Sequence, residues 1–146
     1  MNNVIANKYN NVIANKYLEK YIFAGNAYFT LTSRKTNAHY TYNISKKKNA
    51  PVWFVKIQDG HSNVYSGYIK VNNGTYQYYK GNSGTYDMDD NRILSLMWFI
   101  RHINDTDIDN KIVLQHVGKC CKCGRKLTDP KSIELGIGPE CMKSVY

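Results

Sequence analysis

A chain of 146 residues, 42% hydrophobic and 21% charged, is long enough to bury one apolar core with a small satellite, and its composition is globular rather than disordered. No apolar run approaches the ~20 residues that a membrane-crossing helix needs, and Met1-Asn2-Asn3-Val4 is neither a basic nor a continuously apolar leader, so a cytosolic, reducing location is expected. The net charge of +9 is uneven: up to Gln58 nine Lys or Arg residues stand against Glu19 alone, whereas from Asp59 onward eleven stand against ten acids.

The chain opens on a perfect tandem repeat, Asn2 to Tyr9 recurring unchanged as Asn10 to Tyr17. Its unit is too short and too uniform for a solenoid. The pairs Val4/Ile5 and Val12/Ile13, with Tyr9 and Tyr17, could line one stripe of an amphipathic helix reaching about Lys20, although three Asn per copy oppose helix. Residues 1–22 are therefore set apart as a duplicated, capping segment.

From Asn26 the periodicity changes to two. Tyr28, Thr30 and Thr32 alternate with Phe29 and Leu31 up to a turn at Thr36-Asn37, and His39 to Ile44 returns with Tyr40 and Tyr42 on one face. Lys46-Lys47-Lys48-Asn49 forms the next turn, Val52 to Gln58 a third strand, Asp59 to Asn63 a turn and Tyr65 to Val71 a fourth strand. Asn72-Asn73-Gly74 favours a tight hairpin into Thr75 to Tyr79. A helix capped by Asp89 or Asp90 follows, with Ile93, Met97 and Ile100 on its apolar face and Arg101-His102 at its negative end. Lys111 to Gln115 is a last short strand. The fold expected is α+β: an antiparallel β-meander packed by one main helix over residues 23–115, with a small C-terminal zinc knuckle over 116–146.

The knuckle rests on spacing. His116, Cys120, Cys123 and Cys141 supply three cysteines and one histidine, the complement of a closed tetrahedral zinc site. Two cysteines separated by two residues place both sulfurs on one ion, and Gly124 lets the backbone turn behind them. Cys121 lies between them, where its side chain should face away. A Cys123–Cys141 disulfide is the remaining alternative, and a redox CxxC would need a βαβ setting. Four protein ligands would make the zinc structural, with no position open for catalysis.

The segment Cys120-Cys121-Lys122-Cys123-Gly124-Arg125-Lys126-Leu127-Thr128-Asp129-Pro130-Lys131-Ser132-Ile133, followed by Gly136-Ile137-Gly138-Pro139-Glu140-Cys141, resembles the zinc-knuckle motif of the DUF6011 family. A histidine four residues ahead of the first cysteine is also a feature of that family, matched here by His116. Phe23 to Leu31, Pro51 to Val55 and Trp98 to His102 look like pieces of its longer members. Cys121, where small residues are usual, and the duplicated N-terminus depart from it. The resemblance implies a metal site and a phage-like origin, hence a bacterial host cytoplasm, and no assigned activity.

No Ser-His-Asp order, phosphate-binding glycine loop or HExxH is present, and the expectation is a protein without enzymatic activity. Two partner classes remain. Nucleic acid would be held by Arg34, Lys35, Lys46, Lys47 and Lys48, with Tyr40 and Tyr42 as stacking platforms. Alternatively the same charges would dock on a host protein complex, making the chain an anti-CRISPR-like inhibitor of a defence nuclease by direct contact. The plain reading of the basic residues is a solvated hairpin rim that aids solubility.

Overall fold

The computed structural model describes residues 11–146. Its centre is one six-stranded antiparallel sheet formed by β1 (Asn26–Ser33), β2 (His39–Lys46), β3 (Val52–Asp59), β4 (Ser62–Asn72), β5 (Thr75–Lys80) and β6 (Ile112–His116). The order across the sheet is β5-β4-β3-β2-β1-β6, so the first five strands are a plain meander and the sixth returns to the free edge of β1. The expected α+β meander with one main helix is the observed architecture.

Turn chemistry sets the register. Asn73 and Gly74 have φ of 51° and 81°, and the pairing of Asn72 with Thr75 makes them the two central residues of the β4–β5 hairpin. Two consecutive positive φ values match the right-handed twist of the flanking strands. Between Val55 and Lys56 the β3–β4 register shifts, which leaves Ser66 as the extra residue. Ser66 is buried with its hydroxyl against that of Tyr78, so the bulge resolves a polar group within the core.

Alternation separates two faces. Ala27, Phe29 and Leu31 of β1, Tyr42 and Ile44 of β2, Trp53, Val55 and Ile57 of β3 and Ile69 of β4 are buried on one side. The helices lie on that side: α1 (Leu18–Ile22) brings Tyr21 edge-on to Phe29, and α2 (Asn91–His102) brings Phe99 onto the same ring. Asp90 caps α2, accepting from the Arg92 N–H at 2.9 Å while holding its guanidinium at 2.9 Å. That guanidinium lies 3.9 Å over the Tyr86 ring, whose hydroxyl donates to Asp59.

The second copy of the N-terminal repeat departs from the helix expected of it. Val12 pairs with Gln115, the Ile13 N–H donates to Leu114, and Ala14 is extended. From Val12 to Ile22 only a 3-10 turn (Asn15–Tyr17) and then α1 are helical. The outer edge of β6 offers unpaired backbone groups, and Val12-Ile13 satisfies them in an extended conformation. The first copy lies outside the described residues. Beyond α2, α3 (Pro130–Leu135) and α4 (Pro139–Val145) complete the chain. One hydrophobic core runs from Ile13 and Leu18 through the sheet to Cys121, Leu127, Leu135 and Ile137, crossing both boundaries drawn from the sequence at 22/23 and 115/116.

Candidate metal centre and sheet surface

β6 delivers the chain to the cysteines. After His116, Gly118 (φ 88°) turns the backbone, and a small hairpin closes through Leu127 N–H to Gly118 O at 2.8 Å and Cys120 N–H to Arg125 O at 2.8 Å. Within it Gly124, at φ 80°, donates to the Cys120 carbonyl at 2.9 Å and completes the knuckle. Cys141 arrives from the other side on α4. Asp129 caps α3 by accepting from Lys131 and Ser132, Gly136 ends α3 in the left-handed region, and Pro139 opens α4.

The ligand atoms of Cys120, Cys123 and Cys141 all lie within 4.8 Å of one another, and the trio could hold a metal ion. Burial pushes the Cys120 thiol up, but N–H donation towards its sulfur from Cys123, Gly138 and Lys122 outweighs burial and brings it down to about 7. The Gly138 and Lys122 donors stand 3.4 and 3.5 Å from that sulfur. Burial, then hydrogen bonds to Cys123 and Cys120, pushes Cys141 up to about 11. One sulfur thus collects the negative charge that a cation would neutralise. Cys121 is outside the group, fully buried, and pushed up first by burial and then by the charge at Cys120.

His116 is not brought to the trio. Its ring is buried beside Tyr21, Nδ1 accepts from the Gly118 N–H at 2.8 Å, and Nε2 lies 2.6 Å from the Ile133 carbonyl. A backbone N–H can only donate and a carbonyl only accept, so the ring carries its proton on Nε2 and has no lone pair left for a metal. The pairing of His116 with Phe29 puts its side chain on the core face, which its spacing from Cys120 could not reveal.

The proposed binding residues are redistributed as well. Tyr42 is fully buried, its hydroxyl donating to the Arg92 carbonyl at 2.8 Å, so it offers no stacking surface. Tyr40 shares the helix-covered face, opposite Leu31. Arg34 and Lys35 occupy the β1–β2 turn, whereas Lys46 ends β2 and Lys47 and Lys48 begin the β2–β3 turn. Consecutive meander turns alternate between sheet ends, which places the two groups roughly 25 Å apart along β2 instead of in one patch.

The other face of the sheet is where aromatic and basic side chains coincide. Register puts Tyr28, Phe54, Tyr65, Tyr68 and Tyr79 on it with Lys56 and Lys70, and none of them is buried. Tyr68 stacks on Tyr79 with ring centres 5.4 Å apart, Phe54 meets Tyr65 edge-on, and the Lys70 ammonium lies 5.7 Å over Tyr68. Tyr28 lies across β2 and β3 to donate to Asn63 on β4 at 3.0 Å. No strand residue on this face is acidic: Asp59, the one carboxylate in the six strands, is turned to Tyr86 and Arg92. Period-two counting alone could have named these tyrosines, but choosing the open face required knowing where the helices pack.

No helix among the described residues is long and apolar enough to cross a membrane. No curated protein and no solved structure matches the chain. Residues 115–146 match the model of DUF6011, a family of unknown function, so the family resemblance carried by the cysteine motif holds for the C-terminal module, and the upstream segments lie outside the matched stretch.

Proposed function

We propose that this protein is a non-enzymatic, zinc-binding protein of phage type that binds single-stranded nucleic acid on the open face of its sheet, in the host cytoplasm. The observation that carries this reading is a face bearing Tyr28, Phe54, Tyr68, Tyr79, Lys56 and Lys70 and no carboxylate. Aromatic rings stack on unpaired bases irrespective of sequence, and ammonium groups between them hold phosphates. Exposed Lys47 and Lys48 add positive charge at one end of the sheet. Zinc suits a trio of thiols on a CxxCG knuckle, and it would serve architecture by tying the Cys120–Cys123 hairpin to Cys141 on α4.

The test is fluorescence anisotropy of a labelled single-stranded 12-mer with the full chain at several salt concentrations. Binding that weakens with salt, and Phe54→Ala or Tyr68→Ala costing about 1–3 kcal/mol each, supports the reading. Undetectable binding at low salt would sink it.

A second reading, docking on a host defence complex, draws on a separate feature. A cavity of about 650 Å³ lies between the β1–β2 turn and α2, with Tyr40, Leu94, Trp98 and Ile112 along its walls and Arg34, Lys35 and Lys111 at its rim. Leu94 is 47% exposed there, an apolar anchor with cations beside it, as an acidic protein segment would require. Lys35→Glu with Leu94→Asp would abolish capture of such a complex and leave oligonucleotide binding intact. Loss of oligonucleotide binding in that variant would count against two separate surfaces.

A further inference from the structure

We infer that the metal ion held by Cys120, Cys123 and Cys141 keeps one coordination position for an external nitrogen or sulfur donor, with His116 outside the shell as a positioning residue. This rests on the metal reading above and reverses the closed shell expected from the sequence. Three donor atoms lie within 4.8 Å of one another, and among the described residues no fourth His, Cys, Asp or Glu joins them. Residues 1–10 contain none of these four residue types.

His116 is the one candidate the sequence offers, and both ring nitrogens are already committed. Gly118 donates to Nδ1 at 2.8 Å and Nε2 donates to Ile133 at 2.6 Å. Moving the ring to the metal would break both bonds and leave the Ile133 carbonyl, on α3, and the Gly118 N–H without their partner. The cost of stripping buried backbone groups is what holds the ring in place. By bonding residues on both sides of the knuckle, His116 instead ties the Cys120–Cys123 hairpin to α3.

Three thiolates and a divalent ion leave the vacancy characteristic of zinc sites that bind water or a substrate group. Cys123 is exposed and Cys141 half-buried, so a donor can reach the ion from solvent. Three thiolates make a soft site, which favours imidazole or thiolate over carboxylate. In the isolated protein the position would hold water, and a soft donor would displace it.

The test uses the full chain loaded with cobalt(II) in place of zinc, because its visible bands report the ligand set. Metal content is measured first. One ion per chain, bands that shift saturably as imidazole is added, and His116→Gln retaining the same bands would support the inference. Bands indifferent to imidazole would overturn it, as would His116→Gln altering them while far-UV circular dichroism is unchanged; a loss of affinity at unchanged bands is what a positioning residue gives. Should His116→Gln fail to fold, the imidazole titration of the unaltered chain decides alone. A chain that binds no metal overturns the metal reading and the inference with it, and is distinguishable from a chain that binds metal with a closed shell.

Discussion

The backbone N–H of Asn26, the first residue of β1, donates to the carbonyl of Cys121, the residue between two metal-competent cysteines, at 2.6 Å. Gly136 reinforces the join: its carbonyl accepts from Cys121, and it packs against Tyr21 of α1. The knuckle is thereby bonded into the sheet's first strand, which changes what metal loss should do. Instead of a tail unfolding beside an intact sheet, chelation or Cys123→Ser should lower the melting temperature of the whole domain in one transition. A shift of about 10 °C corresponds to a few kcal/mol in a domain of this size. Tryptophan fluorescence, from Trp53 in the sheet and Trp98 on α2, and far-UV circular dichroism should report the same midpoint. Two separated midpoints would show an independent tail.

Metal affinity should fall as pH is lowered. Each sulfur must lose its proton to ligate, so protons compete with the ion. Cys120, at about 7, ionises more readily than Cys141, which at about 11 keeps its proton at neutral pH until a metal displaces it. The sign is fixed: below pH 7 protons compete with the ion at Cys120 as well as at Cys141, and affinity drops. Titration with a zinc indicator across pH 6 to 8 checks this, and a flat profile would contradict thiolate ligation.

Gly136→Ala should destabilise by roughly 2–4 kcal/mol, combining the left-handed penalty with overpacking. Gly136 has φ 71°, and a Cβ there would stand 2.6 Å from the Tyr21 ring and 2.9 Å from Ile13. Urea unfolding measures it. A loss below 1 kcal/mol would mean that α1 yields easily, against the buried packing of Tyr21.

Asp90→Ala should cost about 1 kcal/mol at neutral pH through loss of the α2 cap. The hydrogen bond from Arg92 holds the Asp90 carboxyl below its usual range against the opposing effect of burial. Because the folded value is depressed, this stabilisation is complete above the unfolded carboxyl value near 4 and is lost as pH falls through the folded one. The stability difference between variant and parent should therefore narrow below about pH 4. Denaturant curves at pH 7 and pH 3 measure both, and an equal difference at the two values would refute the cap.

Tyr42→Phe separates structure from binding. It deletes the hydroxyl that donates to Arg92 at 2.8 Å and should cost about 1 kcal/mol of stability. Oligonucleotide affinity should not change, since the ring is buried under α2. Weakened binding at unchanged stability would restore Tyr42 to the contact surface.

Much of the molecule was legible in its residues, and for identifiable reasons. The five meander strands followed from period-two alternation between turn residues, and the Asn73-Gly74 hairpin from the positive φ values that those two residues tolerate. Asp90 declared the start of α2 by offering a carboxylate one residue ahead of an apolar face. The repeat misled because Val and Ile suit a strand as well as a helix. Only an open edge on β6, formed by residues a hundred positions later, decided between them.

The same division applies to the metal centre. Spacing alone determined that Cys120, Cys123 and Cys141 would be candidates and that Cys121 would turn away, because adjacent side chains on a tight knuckle diverge. It could not decide the fourth ligand. That depended on His116 pairing with Phe29 across β6 and β1, which turns the imidazole into the core, where Gly118 and Ile133 take both nitrogens. Local chemistry follows from neighbours along the chain; where the imidazole's nitrogens are bonded is settled by which backbone groups long-range folding brings to the ring.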